Sequence, residues 1–130
     1  MEYLIAGIGA LLVFAFLYPK IMVGMDKNIT NVTGAEASDI IGSTKDLAIL
    51  DVRTHGEFQM GHIPGAKIMP VTEIGSRIGE LSKYKNRPLL VYCASGSRSP
   101  KAVLLLSRNS FGPIYHMNRG LNGWPGALKR

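Results

Sequence analysis

Between Leu89 and Leu106 the chain passes from an apolar, β-prone run (Leu89, Leu90, Val91, Tyr92) through Cys93-Ala94-Ser95-Gly96-Ser97-Arg98-Ser99 to a helix start at Ser99-Pro100, followed by Ala102, Val103, Leu104, Leu105 and Leu106. A strand that feeds a tight loop and then a helix is the repeating unit of α/β folds, and it places the loop at the C-terminal end of a buried strand. In such a loop successive backbone N–H groups can turn inward and the helix dipole adds positive potential, so an anion or a thiolate at the centre is favoured. A cysteine there has a lowered pKa and is nucleophilic. A lone cysteine at a strand end is more often a small buried hydrophobe. Gly96, which permits a backbone conformation that other residues resist, and the fixed charge of Arg98 favour the reactive reading.

The rest of the chain supplies partners for that unit. Thr33-Gly34-Ala35-Glu36 has the spacing of a capping box and opens a helix that turns Ala37, Ile40 and Ile41 inward before Gly42 and Ser43 end it. Leu47 to Val52 reads as a buried parallel strand. Thr54-His55-Gly56-Glu57 repeats the capping pattern and starts a very short helix ending near Gly61. Gly61 to Ala66 is too rich in Gly and Pro for regular structure, with a brief extended segment around Ile63 and from Ala66 to Ile68. Val71, Ile74, Ile78 and Leu81 share one helical face, Ile114 to Met117 forms a short strand, and Asn118 to Arg130 reads as a Gly-rich turn with Trp124 and a basic helical tail. Elements in this order imply an α/β fold: a small doubly wound parallel sheet with helices on both faces, its ligand site at the C-terminal strand ends. A domain spanning 31–130 follows a linker at 26–30, and the polar stretch from Asp26 to Val32 runs into a first short strand.

Ahead of it, Tyr3 to Tyr18 is sixteen residues without a charge. As a helix that run covers roughly 24 Å, and extension to Val23 with Lys20 snorkelling reaches the ~30 Å of a hydrocarbon core. A cleaved signal peptide would carry basic residues before the run and a small-x-small site after it; Glu2 precedes it instead. A core helix would show one apolar stripe rather than apolar residues all round. The segment 1–25 is expected to be a single-pass anchor touching membrane lipid through residues 3–23. Lys20 and Lys27 on its C-terminal side favour a cytoplasmic domain at the inner membrane, where a lone thiol stays reduced.

With one cysteine there is no internal disulfide, no multi-cysteine zinc site and no resolving cysteine in the same chain. His55, His62 and His116 show no metal-ligand spacing, so no metal or other cofactor is expected. The net charge of +6 is unevenly spread: Glu80 is the last acidic residue, and nine basic residues follow it. That field draws anionic small molecules or lipid; no nucleic-acid partner is expected, because no binding motif accompanies the charge.

The loop admits two anion chemistries, a phosphoryl or arsenate oxyanion in a wide ring or the outer sulfur of a persulfide in a tighter one. Four residues separate Cys93 from Arg98 where the cysteine-phosphatase pattern needs five, which favours sulfur. With these residues in view the chain resembles the rhodanese-like family: Leu50-Asp51-Val52-Arg53, Glu57-Phe58, Gly61-His62-Ile63-Pro64-Gly65-Ala66, the Cys93 to Ser99 loop, then Gly120 with Trp124. The resemblance runs from about Asn31 to about Pro125, and the overall form looks like small bacterial membrane-anchored members. It implies a sulfurtransferase in which Cys93 is the catalytic residue, taking sulfur from thiosulfate or another small anionic donor and passing it to cyanide or a thiol. It also implies that Ala94, Ser95, Gly96, Ser97, Arg98 and Ser99 form the active loop, with amides around the outer sulfur and Arg98 assisting the donor. A non-catalytic interaction module is the alternative from another class.

Asp51 and Arg53 lie where a strand ends and a capped helix begins, and are expected as buried structural pairs, since charges survive burial only when paired. Glu57 and His62 are expected in the same supporting role. Lys101 either adds to the field at Cys93 or is solvated. Where the family pattern usually has a pair of glycines, this chain has Arg119 and Gly120; Arg119 is expected either to narrow the approach to the loop or to face solvent.

Overall fold

The structure, a computed structural model, describes residues 1–130. Its elements are α1 (Glu2–Met25), β1 (Ile29–Val32), α2 (Gly34–Ser43), β2 (Ala48–Asp51), α3 (His55–Gln59), β3 (Lys67–Ile68), α4 (Val71–Arg77), β4 (Leu89–Tyr92), α5 (Ser99–Arg108) and β5 (Ile114–Met117). Two 3-10 segments complete it, Ile78–Tyr84 and Gly120–Gly123. All strand pairs are parallel and the sheet order is β1-β5-β4-β2-β3.

Alternation along the strands builds a core on each face. Ala48 and Leu50 of β2 and Leu89 and Val91 of β4 join Ile74, Ala102, Val103 and Leu106 on the face covered by α4 and α5. Ile49, Leu90 and Tyr92 point the other way, where Ala37 and Ile63 are buried with Ile40, Ile41 and Phe58 packed against them. Both capping boxes form: Thr33 and Thr54 each accept from the amide three residues on, and Glu36 and Glu57 return a carboxylate to the cap amide.

Three features differ from the expected pattern. β1, the expected first short strand, starts at Ile29, so that its first two residues fall inside the 26–30 linker. The last turn of α1 belongs to the domain, because Val23 is 2 % exposed within the α4/α5 core and Met22 packs against the same cluster. The C-terminal tail is not helical. After the Gly120–Gly123 turn the chain runs irregularly to Lys129, whose backbone pairs with His62 in an antiparallel bridge. Pro125 and Gly126 leave too few residues for a helix to nucleate.

Earlier α1 residues are outside the core. Leu4, Ile5, Leu11, Leu12, Phe14 and Phe16 are exposed on a 24-residue helix with mean hydropathy 2.0 over its most apolar window. That helix is long and apolar enough to span a bilayer.

Candidate functional site

β4 ends at Tyr92 and carries Cys93, fully buried, into the space beneath the loop. Gly96 takes φ +89°, a left-handed value that glycine adopts freely. A side chain there would collide with the carbonyl oxygen of Asn118. This turn aims two amides at the sulfur: Gly96 N–H at 3.2 Å and Ser99 N–H at 3.4 Å. Gly120, at φ +59°, lies against the carbonyls of Cys93 and Ala94. The next two amides lock the loop's start, Leu121 N–H donating to Cys93 O (2.8 Å) and Asn122 N–H to Ala94 O (3.0 Å).

Burial pushes the Cys93 thiol up, but the Ser99 hydroxyl and the amides of Ser99, Arg98 and Gly96 outweigh it and hold the pKa below its ordinary value. Ser99 extends this contact into a chain. Its Oγ lies 3.2 Å from Cys93 Sγ and 2.7 Å from His116 Nε2, and His116 Nδ1 lies 2.8 Å from Asn31 Oδ1. Burial lowers the His116 pKa to about 4, so at neutral pH the ring is uncharged with a single N–H. An amide oxygen can only accept, which assigns that N–H to Nδ1 and leaves Nε2 to accept from Ser99. In the thiol state Cys93 donates to Ser99, Ser99 to His116 and His116 to Asn31; once Cys93 ionises, the Ser99 hydroxyl turns its proton to the sulfur, and that contact lowers the pKa.

Arg98, at the loop's end, is held from outside the loop. Its guanidinium donates to both carboxylate oxygens of Glu57 at 2.7 and 2.9 Å. The hydrogen bonds from Arg98 lower the Glu57 pKa to about 2, with Thr54 contributing. Asp51 and Arg53 sit lower in the same wall, 0 % and 6 % exposed, joined by contacts of 2.7–3.1 Å. Arg53 also donates to Gly61 O at 2.7 Å, tying the end of β2 to the turn after α3. His62 accompanies that turn: its Nδ1 lies 2.9 Å from Phe58 O, and its ring stacks on Phe58 at 3.7 Å between centroids. The hydroxyls of Ser95 and Ser97 are 3.4 Å apart, on the exposed crest with neither touching Cys93.

The loop residues and Glu57 thus converge on one wall, with Asp51, Arg53 and His62 supporting the turn beneath. His116 and Asn31 are site residues that local motif reading passed over. No spacing signal marks them; they meet because β1 and β5 are neighbours and pair Asn31 with His116 in register.

Comparison with known proteins agrees with this geometry. The Rhodanese-like domain family profile matches residues 33–127. The chain belongs to the rhodanese-like family. It is 28 % identical over 115 residues to the protein YibN of Escherichia coli K12, covering 85 % of this chain and 80 % of that one. It is 29 % identical over 96 residues to a sulfurtransferase of Allochromatium vinosum, covering 74 % and 88 %. A rhodanese-like domain protein from Staphylococcus aureus superposes with a TM-score of 0.67 at 32 % identity, covering 77 % of this chain and 96 % of that one. The likeness to solved rhodanese-like domains fits a fold formed by the sheet and its flanking helices, with α1 as an addition at the N-terminus.

Proposed function

We propose that this rhodanese-like protein is a sulfurtransferase that carries sulfane sulfur on Cys93. The observation that carries the reading is the Cys93 Sγ lying under inward-facing amides of a loop with four residues between cysteine and arginine. The Cys93 thiolate attacks the outer sulfur of thiosulfate, forming a Cys93 S–S bond while the donor's S–S bond breaks and sulfite leaves with the electron pair. Cyanide or an acceptor thiolate then attacks the outer sulfur of the persulfide, and Cys93 departs as thiolate. Loop amides that stabilise the thiolate also stabilise it as a leaving group, so they serve both half-reactions. The test is sulfur transfer from thiosulfate to cyanide by the full-length chain: wild-type turnover with none in Cys93→Ser supports the assignment, and equal rates would sink it.

The protein also acts, in this proposal, at the inner membrane with its catalytic domain on the cytoplasmic side. Support comes from the exposed apolar length of α1 and from Lys20 and Lys27 at its C-terminal end. Because α1 packs its last turns on the domain core, the sulfur site is held close to the bilayer rather than on a long tether. Labelling of introduced cysteines with a membrane-impermeant reagent in a Cys93→Ser background checks the sidedness.

A further inference from the structure

Between the last turns of α1 and the C-terminal edge of the sheet lies a cavity of about 310 Å³. Lys20 reaches it from α1, Asn31 and His116 from neighbouring strands, and Asn118 and Arg119 from the segment after β5; Val23 and Pro100 supply apolar side chains. No carboxylate lines it. The ion pairs of the protein engage Arg53, His55, Arg77 and Arg98, leaving Lys20 and Arg119 without an acidic partner. Lys20 is steadied only by the ring of Phe16, 4.3 Å from its ammonium. Two uncompensated cations and no carboxylate around one partly enclosed space give it a positive potential that a bound anion offsets.

The neutral groups match. Asn31 spends its Oδ1 on His116 and keeps its NH₂ as a donor, and the side-chain amide of Asn118 is likewise uncommitted. His116 is uncharged at neutral pH and does not add to that potential. Two cations and two side-chain amides, with no carboxylate among them, disfavour a metal cation and suit an oxyanion that accepts from several donors at once. Position narrows the source. Lys20 follows directly on the apolar run of α1 and would lie at headgroup depth if α1 spans the bilayer. Gly96 also lines the cavity while its amide faces Cys93, so the occupant and the sulfur share a wall.

We propose that this cavity is a binding site for a tetrahedral oxyanion of the phosphate type, presented by an anionic lipid headgroup beside α1 or by a free solute. The lipid source rests on the membrane reading of α1; the site itself is independent of sulfur transfer and stands if Cys93 proves inactive.

The test uses the full-length chain in uncharged detergent micelles, titrated with inorganic phosphate and, separately, with phosphatidylglycerol, while the imidazole NMR signals of His55, His62 and His116 are followed. The expected result is a saturable shift of the His116 signal alone. Binding should weaken at least about tenfold in Lys20→Gln/Arg119→Gln and stay unchanged in the charge-matched control Lys45→Gln/Lys83→Gln. Arg119→Gln alone, at an exposed position, guards against misfolding of the double variant and should weaken binding in the same direction. A response to phosphatidylglycerol only assigns the site to lipid, and one to phosphate only assigns it to a solute. Responses to both assign recognition to the phosphoryl group. No saturable His116 shift with either ligand, or an undiminished one in both variants, overturns the proposal.

Discussion

Glu57 grips Arg98 with both carboxylate oxygens, at 2.7 and 2.9 Å, so the guanidinium that closes the Cys93 loop is paired from α3. The carboxylate pKa is lowered from 4.5 to about 2. A depressed carboxylate contributes stability that is fully present above pH 4.5 and is lost as pH falls towards 2. Both side chains are about a third exposed, which keeps the effect modest. Glu57→Gln should therefore lower stability at pH 7 by about 1 kcal/mol and flatten the acid limb between pH 4.5 and 2, read from denaturant midpoints across pH.

Ser99 is the hinge between the sulfur and the buried imidazole, and it supplies both an amide and a hydroxyl to Cys93. Ser99→Ala removes the hydroxyl and keeps the amide. The thiolate midpoint of Cys93, followed by ultraviolet absorbance against pH, should move up. An unmoved midpoint would mean the amides alone set it.

Asp51 holds Arg53 in a site closed to solvent. Asp51→Asn leaves a buried guanidinium facing a neutral amide and should cost about 3 kcal/mol in denaturant unfolding. The turn at Gly61, which depends on Arg53, should loosen with it. A loss under 1 kcal/mol would show that water reaches the pair.

Val23 makes the end of α1 a part of the domain. Val23→Ala removes two buried methyl-sized groups and should destabilise the full chain by about 1.5 kcal/mol at ~0.8 kcal/mol per carbon. A chain starting at residue 27 should lose at least as much. Equal stability of wild type and Val23→Ala would place α1 outside the cooperative unit.

The architecture was legible because its signals are local. Leu89–Tyr92 and Ala48–Asp51 are buried on both faces and read as continuous apolar runs, and Thr33 with Glu36 and Thr54 with Glu57 announce two helix starts three residues apart. The loop was legible for the same reason, since Gly96 and Arg98 lie within five residues of Cys93. Contacts made across the fold were not. Glu57 looks like a helix cap in sequence and is one, yet the same Oε1 also receives Arg98, 41 positions away. Asn31 and His116 become partners only once β1 is placed beside β5. The tail misled because its basic residues suit a helix C-terminus, whereas backbone pairing of Lys129 with His62 draws it out along the turn after α3.

Everything proposed for the Cys93 site depends on Cys93 accepting sulfur. Intact-mass measurement of the full-length protein, exposed to thiosulfate and freed of excess donor without reductant, tests it most directly. The wild type should gain one sulfur atom, removed by cyanide and absent from Cys93→Ser. A wild-type mass that never changes, or the same gain in Cys93→Ser, would contradict it.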